Sequence, residues 1–438
     1  MARFFNPQKK KTLDTKHKAL KVERLDHHGD GVAFINKKPV FIAGALPGES
    51  VVAQLTEDKR QFARARLIKV TDPAEERVDP FCPHYSDCGG CNLQHLKYDS
   101  QVESKRQTLS QLMTKFAGDT TEQAPASVSS DSGYRRRTRL SVRVDKDGKL
   151  LMGFRQRNSN AIVAVSDCAV LKPSINQLLP ELFQCLDALK GRRVLGHIEL
   201  VEAEQGIVLL VRTVKPLNPS DKSALNAFVD RHSLVFYLHE GDQTPIRLKG
   251  DAPSYPVDAL SLQFEPTDFI QVNPDINHKM VAQAIDWLDV KETDHVLDLF
   301  CGLGNFSLPL ARRAASVVGI EGVEFMVQRA TENAERNQID NACFYHANLE
   351  EGAEKTDWGN RHYQKILLDP ARAGAAGIMP FVAQSGAEKI VYVSCNPSTL
   401  ARDSQQLLNK GYILAQLGMV DMFPHTGHLE SMALFVKS

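Results

Sequence analysis

Cys395 stands in the run Val391-Tyr-Val-Ser-Cys395-Asn-Pro-Ser398, directly after an apolar strand-like stretch and ahead of a helix start at Ser398. A thiol placed there is suited to nucleophilic chemistry, because the positive end of a helix favours thiolate over thiol. Taken alone it could as well be a small core hydrophobe, as most lone cysteines are. A second group, Cys82, Cys88 and Cys91, puts three soft ligands within ten residues, and in a reduced cytosol that favours a metal over a disulfide. Cys168, in Val165-Ser-Asp-Cys168, is the best fourth ligand, since Cys185 lies in an apolar helical pattern. Four thiolates suit zinc or an iron–sulfur cluster, and a single CxxC, where zinc usually takes two, tilts the choice towards iron–sulfur. Cys301, Cys185 and Cys343 have no partners at ligand spacing and read as structural.

The elements that must position these groups follow from periodicity. From Phe269 onward, apolar strands alternate with helices: a helix over 275–287, the strand HVLDLF, a glycine turn at 301–304, a helix over 306–314, the strand SVVGIE, a helix over 323–337, then ACFYHAN, KILLDP, another helix and KIVYVSC. That alternation predicts a doubly wound, Rossmann-like parallel α/β sheet, in which ligands bind beyond the carboxyl ends of the strands. Asp298 to Phe306 supplies a glycine turn, and Glu321 follows at the end of the next strand, within the reach of a ribose-binding acid. The chain lacks the third glycine of GxGxxG, which argues against NAD. Cys395 ends a strand of the same sheet and so lies at the same edge.

Upstream, residues 18–70 read as short strands at regular spacing, the pattern of a small OB-like barrel. Residues 98–116 read as a helix with few apolar positions, 119–132 as a low-complexity linker, and 134–265 as strands with one helical interlude near 175–190. The expected domains are a barrel over 1–75, a small central α+β domain over 76–265 holding the cysteine cluster, and a catalytic domain over 266–438 on which the 98–116 helix can pack. The 53 basic and 53 acidic side chains cancel, but their distribution is uneven. Residues 1–24 carry eight Lys or Arg against two acids, and 134–157 carry nine against two, a footprint suited to a phosphate backbone. No apolar run approaches the roughly 18 residues of a membrane span, and the N-terminus lacks the features of a secretory signal, so a cytoplasmic protein is expected.

Several of these runs resemble known families. HHGDGVAFINKKPVFIAGALPGESVVAQL resembles the TRAM domain, an RNA-binding barrel. DLFCGLGNF, GIE, Asn348 after the third strand and LLDPARAG resemble the S-adenosylmethionine-dependent methyltransferases. That resemblance implies that Glu321 binds the ribose, that Asn348 lies by the adenine, and that Phe300, Asn305 and Asp369 line the methionine part. SCNPSTLARD with FPHTGHLES closely resembles the RNA uracil-C5 methyltransferase family, which implies that Cys395 is the nucleophile and Glu430 the base. The match at Phe269-Ile-Gln271-Val-Asn273 implies that Gln271 contacts the methionine moiety of the cofactor. The chemistry fits those residue types: thiolate addition to C6 makes uracil C5 enolate-like, and a base must later remove the C5 proton.

Ribosomal RNA members of this family with a TRAM barrel carry a 4Fe-4S cluster on cysteines spaced like these, so the resemblance implies a structural cluster on Cys82, Cys88, Cys91 and Cys168. It also implies a single uridine of 23S ribosomal RNA as the substrate; no membrane association is expected from the composition, and a monomer is the default, because a basic face reserved for RNA leaves no evident large apolar patch. The same chemistry on another ribosomal or transfer RNA uridine is one alternative. An iron–sulfur RNA-binding or radical enzyme is another, although radical enzymes use CxxxCxxC and the first gap here is five residues. His425 and His428 flank Glu430 and could tune it, bind phosphate or face water.

Overall fold

A computed structural model describes residues 16–118, 121–353 and 356–438. The basic tail over 1–15 and two residues of the linker read at 119–132 lie outside the described residues. The chain divides into two compact units, one formed by the N-terminal residues to Phe81 with Cys91–Ser104 and His425–Gly427, the other by Cys82–Gly90, Lys105–Pro424 and His428–Ser438.

The first unit is built on a six-stranded sheet in the order His17–Lys21, Ser50–Asp58, Ala63–Asp72, Lys38–Ala43, Gly31–Ile35 and Arg24–Leu25. Val22, Ala33, Val40, Ile42, Val51 and Ala53 alternate inward to form its core, as half-buried strands with a period of two require. The buried carboxylate of Glu49 accepts from the backbone amides of Leu46 and Ala74 and is paired with Arg77, which locks the segment after the last strand onto the sheet.

The second unit contains two seven-stranded sheets. The central one runs Ile246–Lys249, Val235–Glu240, Gly206–Thr213, Leu195–Ala203, Arg137–Val144, Leu150–Arg155 and Ile162–Ala164. Two helices, Pro173–Asp187 and Pro219–Arg231, cover one face, where Leu140, Ile198, Leu200, Leu209 and Val211 meet Leu179, Leu182, Leu225 and Phe228. Only the first of these helices is evident from periodicity. The second buries just Asp221, Leu225, Phe228 and Val229, too short a stripe to stand out from its polar surroundings.

The last sheet has the order Ala342–His346, Ser316–Glu321, His295–Leu299, Lys365–Leu368, Lys389–Ser394, Glu430–Lys437 and Tyr412–Val420. The first five strands are parallel, as the alternating pattern predicts. The final two, antiparallel to their neighbours, are not evident from periodicity, because Glu430–Lys437 is buried along nearly its whole length and shows no alternation. Among the described residues, no helix is long and apolar enough to cross a membrane.

The Tyr98–Ala117 helix reads as polar, yet its buried positions, Gln101, Lys105, Leu109 and Met113, form a clean i, i+4 row. The buried face includes an amide and an ammonium, which hydrophobic periodicity does not detect.

Candidate active site

The sheet order reverses direction at His295–Leu299, beside which Lys365–Leu368 lies on one side and Ser316–Glu321 on the other. A crevice at the carboxyl ends of the strands follows from that reversal. The ladders continue past the strand ends: Asp369 N donates to Leu299 O (3.3 Å), Cys301 N to Ile320 O (3.1 Å) and Ala347 N to Glu321 O (3.0 Å). Phe300, Glu321, Asn348, Asp369 and Cys395 therefore follow successive strand ends along one edge.

In the glycine turn, Gly302 and Gly304 have φ of 56° and 95°, and a Cβ on Gly304 would stand 3.0 Å from a carbon of Leu308. Phe300 adopts φ of 66° without being glycine, a conformation that costs about 1 kcal/mol or more. The Glu321 carboxylate accepts from Gly302 N and Val323 N, each at 3.1 Å, which fixes its orientation at the strand end. Asn348 is exposed and caps the short turn after it, accepting from Glu350 N and donating to Glu351. Asp298 is fully buried. One of its oxygens accepts from Ser307, the other has no partner among the described residues, and burial pushes the carboxyl up to about 8.

Asn305 and Gln271 are tied together by residues whose part is not evident from sequence. Asn305 exchanges hydrogen bonds with the buried Asn277 (2.9 and 3.0 Å) and accepts from Tyr255 Oη (3.0 Å). The Arg136 guanidinium lies 4.4 Å from the centroid of the Tyr255 ring, and its Nε donates to Gln271 O at 2.8 Å. One buried arginine thus braces Gln271 directly and Asn305 through Tyr255, two of the four predicted methionine-side residues. Not all of the basic segment 134–157 is therefore open to a phosphate backbone: Arg136 is buried, and Arg137 is spent on Glu199 and on the carbonyls of Pro266 and Asp268.

Cys395 and Glu430 come together because their strands are neighbours, with Ser394 directly opposite Ser431. Asn396 caps the Pro397–Leu408 helix through Ser398 N (3.1 Å) and donates to Arg372 O (3.0 Å), fixing the loop that carries Cys395. The helix end is expected to favour thiolate, and burial of the thiol opposes it. Burial first, then the charges of Glu430 and Asp369, push the Cys395 thiol up to about 11, and Arg372 offsets only part of this. Burial and Asp369 likewise push Glu430 up to about 8, against the opposing influence of Lys105 and Arg372, and burial takes Asp369 to about 7. Burial is the first cause at all three groups, and it disfavours the charged form of each.

Lys105 is the group that sequence reasoning missed here. It is 4% exposed and paired at 2.6 Å with Asp421, 1% exposed, in the strand pair where Val420 faces Glu430. Breaking a buried ion pair on one side costs about 3–5 kcal/mol, so Lys105→Met is expected to be destabilised, while Lys105→Met with Asp421→Asn recovers most of the stability. Because the ammonium lowers the Glu430 pKa, its loss should move the acid limb of the kcat/KM profile to higher pH and reduce the rate at pH 7 by up to about tenfold, one buried-charge interaction of ~1.4 kcal/mol. A pH–rate profile of the single and double variants, with thermal unfolding alongside, checks both effects. Of the flanking histidines, His425 is buried in the first unit, where Gln101 bonds both its backbone N–H (3.0 Å) and its ring Nδ1 (3.1 Å). His428 is exposed and lies 3.2 Å from Arg372 Nη2.

Cys82 and Cys88 lie in a loop laid on the central sheet by Gly89 N to Arg155 O (3.0 Å) and Arg157 N to Asp87 O (2.9 Å). Burial, and then the nearness of Cys82 and Cys88, push the Cys168 thiol up to about 11. Three sulfurs with that mutual influence suit a cationic cluster, which would compensate their charge. Cys91 belongs to the other unit, and among the described residues no group of three or more His, Cys, Asp or Glu side chains forms a metal-ready arrangement.

A glycine turn, an oriented strand-end carboxylate and a thiol beside a buried acid fit a nucleoside-cofactor α/β transferase with a thiol at its sheet edge. Residues 97–438 match the family tRNA (Uracil-5-)-methyltransferase and residues 16–68 the TRAM domain. The chain belongs to that methyltransferase family. It is 54% identical over 440 residues to the 23S rRNA (uracil(1939)-C(5))-methyltransferase RlmD of Vibrio campbellii, covering all of both chains. It is 52% identical to the protein of the same name from Photobacterium profundum, covering all of this chain and 97% of that one. Its fold matches the crystal structure of Pyrococcus abyssi tRNA (uracil-54, C5)-methyltransferase in complex with S-adenosyl-L-homocysteine, with a TM-score of 0.75 at 24% identity, over 96% of this chain and 100% of that one.

Proposed function

We propose that this chain methylates C5 of one uridine in 23S ribosomal RNA, with Cys395 as nucleophile and Glu430 as general base. The observation that carries the chemistry is the thiol and the buried carboxylate on adjacent antiparallel strands, with Ser394 opposite Ser431. Identity over the whole length to proteins named for that ribosomal uridine supports the substrate.

Cys395 Sγ adds to C6 of the pyrimidine, and C5 becomes nucleophilic. When bound, S-adenosylmethionine supplies the methyl group that C5 takes. Glu430 then removes the C5 proton, the C6–S bond breaks, and Cys395 is released. Glu321, Asn348, Phe300, Asn305, Gln271 and Asp369 would hold the cofactor. The unpartnered oxygen of Asp298 and the oriented Glu321 carboxylate are polar groups suited to its amino and ribose ends. Burial disfavours the charged form of both reacting groups, so kcat/KM rises with pH up to and beyond about 8.

The decisive experiment follows methyl transfer from labelled S-adenosylmethionine to unmodified large-subunit RNA and to transfer RNA, with the product nucleotide mapped. The expected result is 5-methyluridine at one site in the large-subunit RNA. Label confined to transfer RNA would leave the chemistry standing and replace the substrate, a reading favoured by the family's own description.

The barrel over residues 1–75 is assigned to RNA binding and residues 266–438 to catalysis, in a cytoplasmic, monomeric protein. Cys82, Cys88, Cys91 and Cys168 would hold a 4Fe-4S cluster in the 76–265 region, with a structural role, since no step of the uracil chemistry needs an electron. Cys88→Ser is expected to lose iron and visible absorbance and to bind RNA at least tenfold more weakly, with S-adenosylmethionine affinity retained. Wild-type RNA affinity in an iron-free protein would remove the structural role.

A further inference from the structure

The central sheet has two faces, and only one is covered by its helices. On the other, side chains at alternate positions divide into two zones. Val201, Val208, Leu210, Val235 and Tyr237 pack into the same core as Ile276, Met280 and Leu303 of the cofactor-binding region. Further along the same strands and on the same face, as the period of two requires, the residues become Arg139 and Arg143, His197, Arg212 and His239. The ladders set His197 opposite Arg212, Arg212 opposite His239, and Glu199 opposite Arg139. Arg155, from the next strand, lies within electrostatic reach of His197 together with Arg139 and Arg212. The guanidinium groups of Arg139, Arg143, Arg155 and Arg212 are exposed.

We propose that this open end of the central sheet, built on Arg139, Arg143, Arg155 and Arg212 with His197 and His239, is the docking surface for the phosphate backbone of the RNA substrate. The proposal rests on the reading that the substrate is RNA. The four arginines share this face with one acid of the sheet, Glu199, while Asp242 lies in the turn beyond, near His239, which leaves a local excess of positive charge in a chain whose total is zero. Glu199 is itself occupied by Arg137 (3.0 Å) and Arg139 (3.8 Å), so it orients arginines on this face rather than cancelling the excess. The cationic groups in this stripe are arginines, whose planar forks bind phosphate oxygens in pairs. They stand on a rigid sheet, which holds their spacing without the ordering cost of a loop. The apolar zone of the same face is packed against the cofactor-binding region, so a strand docked on the arginines is led towards the site. The basic run visible in sequence thus has two fates: Arg136 and Arg137 turn inward to brace the site, while Arg139, Arg143 and Arg155 join an arginine from a different strand, Arg212, which no linear window contains.

The test measures equilibrium binding of the full chain to an unmodified fragment of large-subunit RNA and to a mixed-sequence RNA of equal length, from 50 to 300 mM salt. The proteins compared are wild type, Arg139→Gln/Arg143→Gln/Arg212→Gln, and a control on the helical side, Lys190→Gln/Arg231→Gln. The triple variant should lose about 2 to 3 from the slope of log K against log salt on both RNAs and bind on the order of 10²-fold more weakly at 150 mM. Its kcat at saturating RNA should be unchanged, and the control should match wild type. A triple variant with the wild-type slope on both RNAs overturns the docking surface, whatever RNA proves to be methylated. Failure of the wild type to methylate ribosomal RNA would overturn the substrate instead, and the salt slopes would still decide the surface.

Discussion

A Cys395→Ala protein is expected to transfer no methyl group to RNA above background, a loss of at least about 10⁴-fold, while binding S-adenosylmethionine and RNA with wild-type affinity. The size follows from what the thiol does. Without addition at C6, uracil C5 has no enolate character, and among the described residues at this edge the other candidates are poorly suited as nucleophiles: burial raises Asp369 and Glu430 above the ordinary carboxylate range, and Cys301 is buried in the glycine turn with its thiol raised well above the ordinary value. Stability should change little, because Cys395 is only half-buried and its loop is held by the Asn396 cap rather than by the sulfur. The measurement is single-turnover methyl transfer with excess enzyme, so that a slow residual rate is not hidden by product release. Transfer by Cys395→Ala within tenfold of wild type would require a different activation of C5.

The same residues show how far sequence reaches into this site. Glu321, Asp369 and Cys395 could be placed because each directly follows or ends an apolar run, and parallel strands send those ends to one edge whatever the register. Glu430 could be placed only by resemblance: its strand is buried on both faces, so periodicity does not reveal a strand, still less that it pairs with the one before Cys395. Lys105, Asp421, Arg136 and Asn277 were illegible for a common physical reason. Each is polar and buried because a partner far away in sequence satisfies it, Lys105 with Asp421 and Asn277 with Asn305. Polarity in a sequence reads as exposure unless the partner is known. The thiolate expectation for Cys395 meets an influence of the same kind: a helix start is local and visible, whereas the burial that raises the thiol is assembled by the fold.

A Glu430→Gln protein is expected to separate the two halves of the reaction. Addition of Cys395 and methylation of C5 require no base acting at C5, but elimination requires loss of the C5 proton, and an amide cannot accept it. The methylated nucleotide should therefore remain joined to Cys395 through C6, giving a protein–RNA adduct stable to denaturing electrophoresis, with turnover reduced about 10²- to 10⁴-fold. The label from the methyl donor should migrate with the protein in nearly one-to-one ratio. The substitution also removes a buried acid whose ionised form the fold disfavours. Because the folded-state pKa of Glu430, about 8, lies above its unfolded value, wild-type Glu430 loses stability as pH rises towards 8, and Glu430→Gln should lose less over that interval. The adduct and the altered pH dependence both follow from replacing one buried, proton-accepting carboxylate with an amide that does not titrate. Glu430→Gln that turns over freely and leaves no adduct would assign the C5 proton to another acceptor at this edge, and Asp369 would be the first to replace.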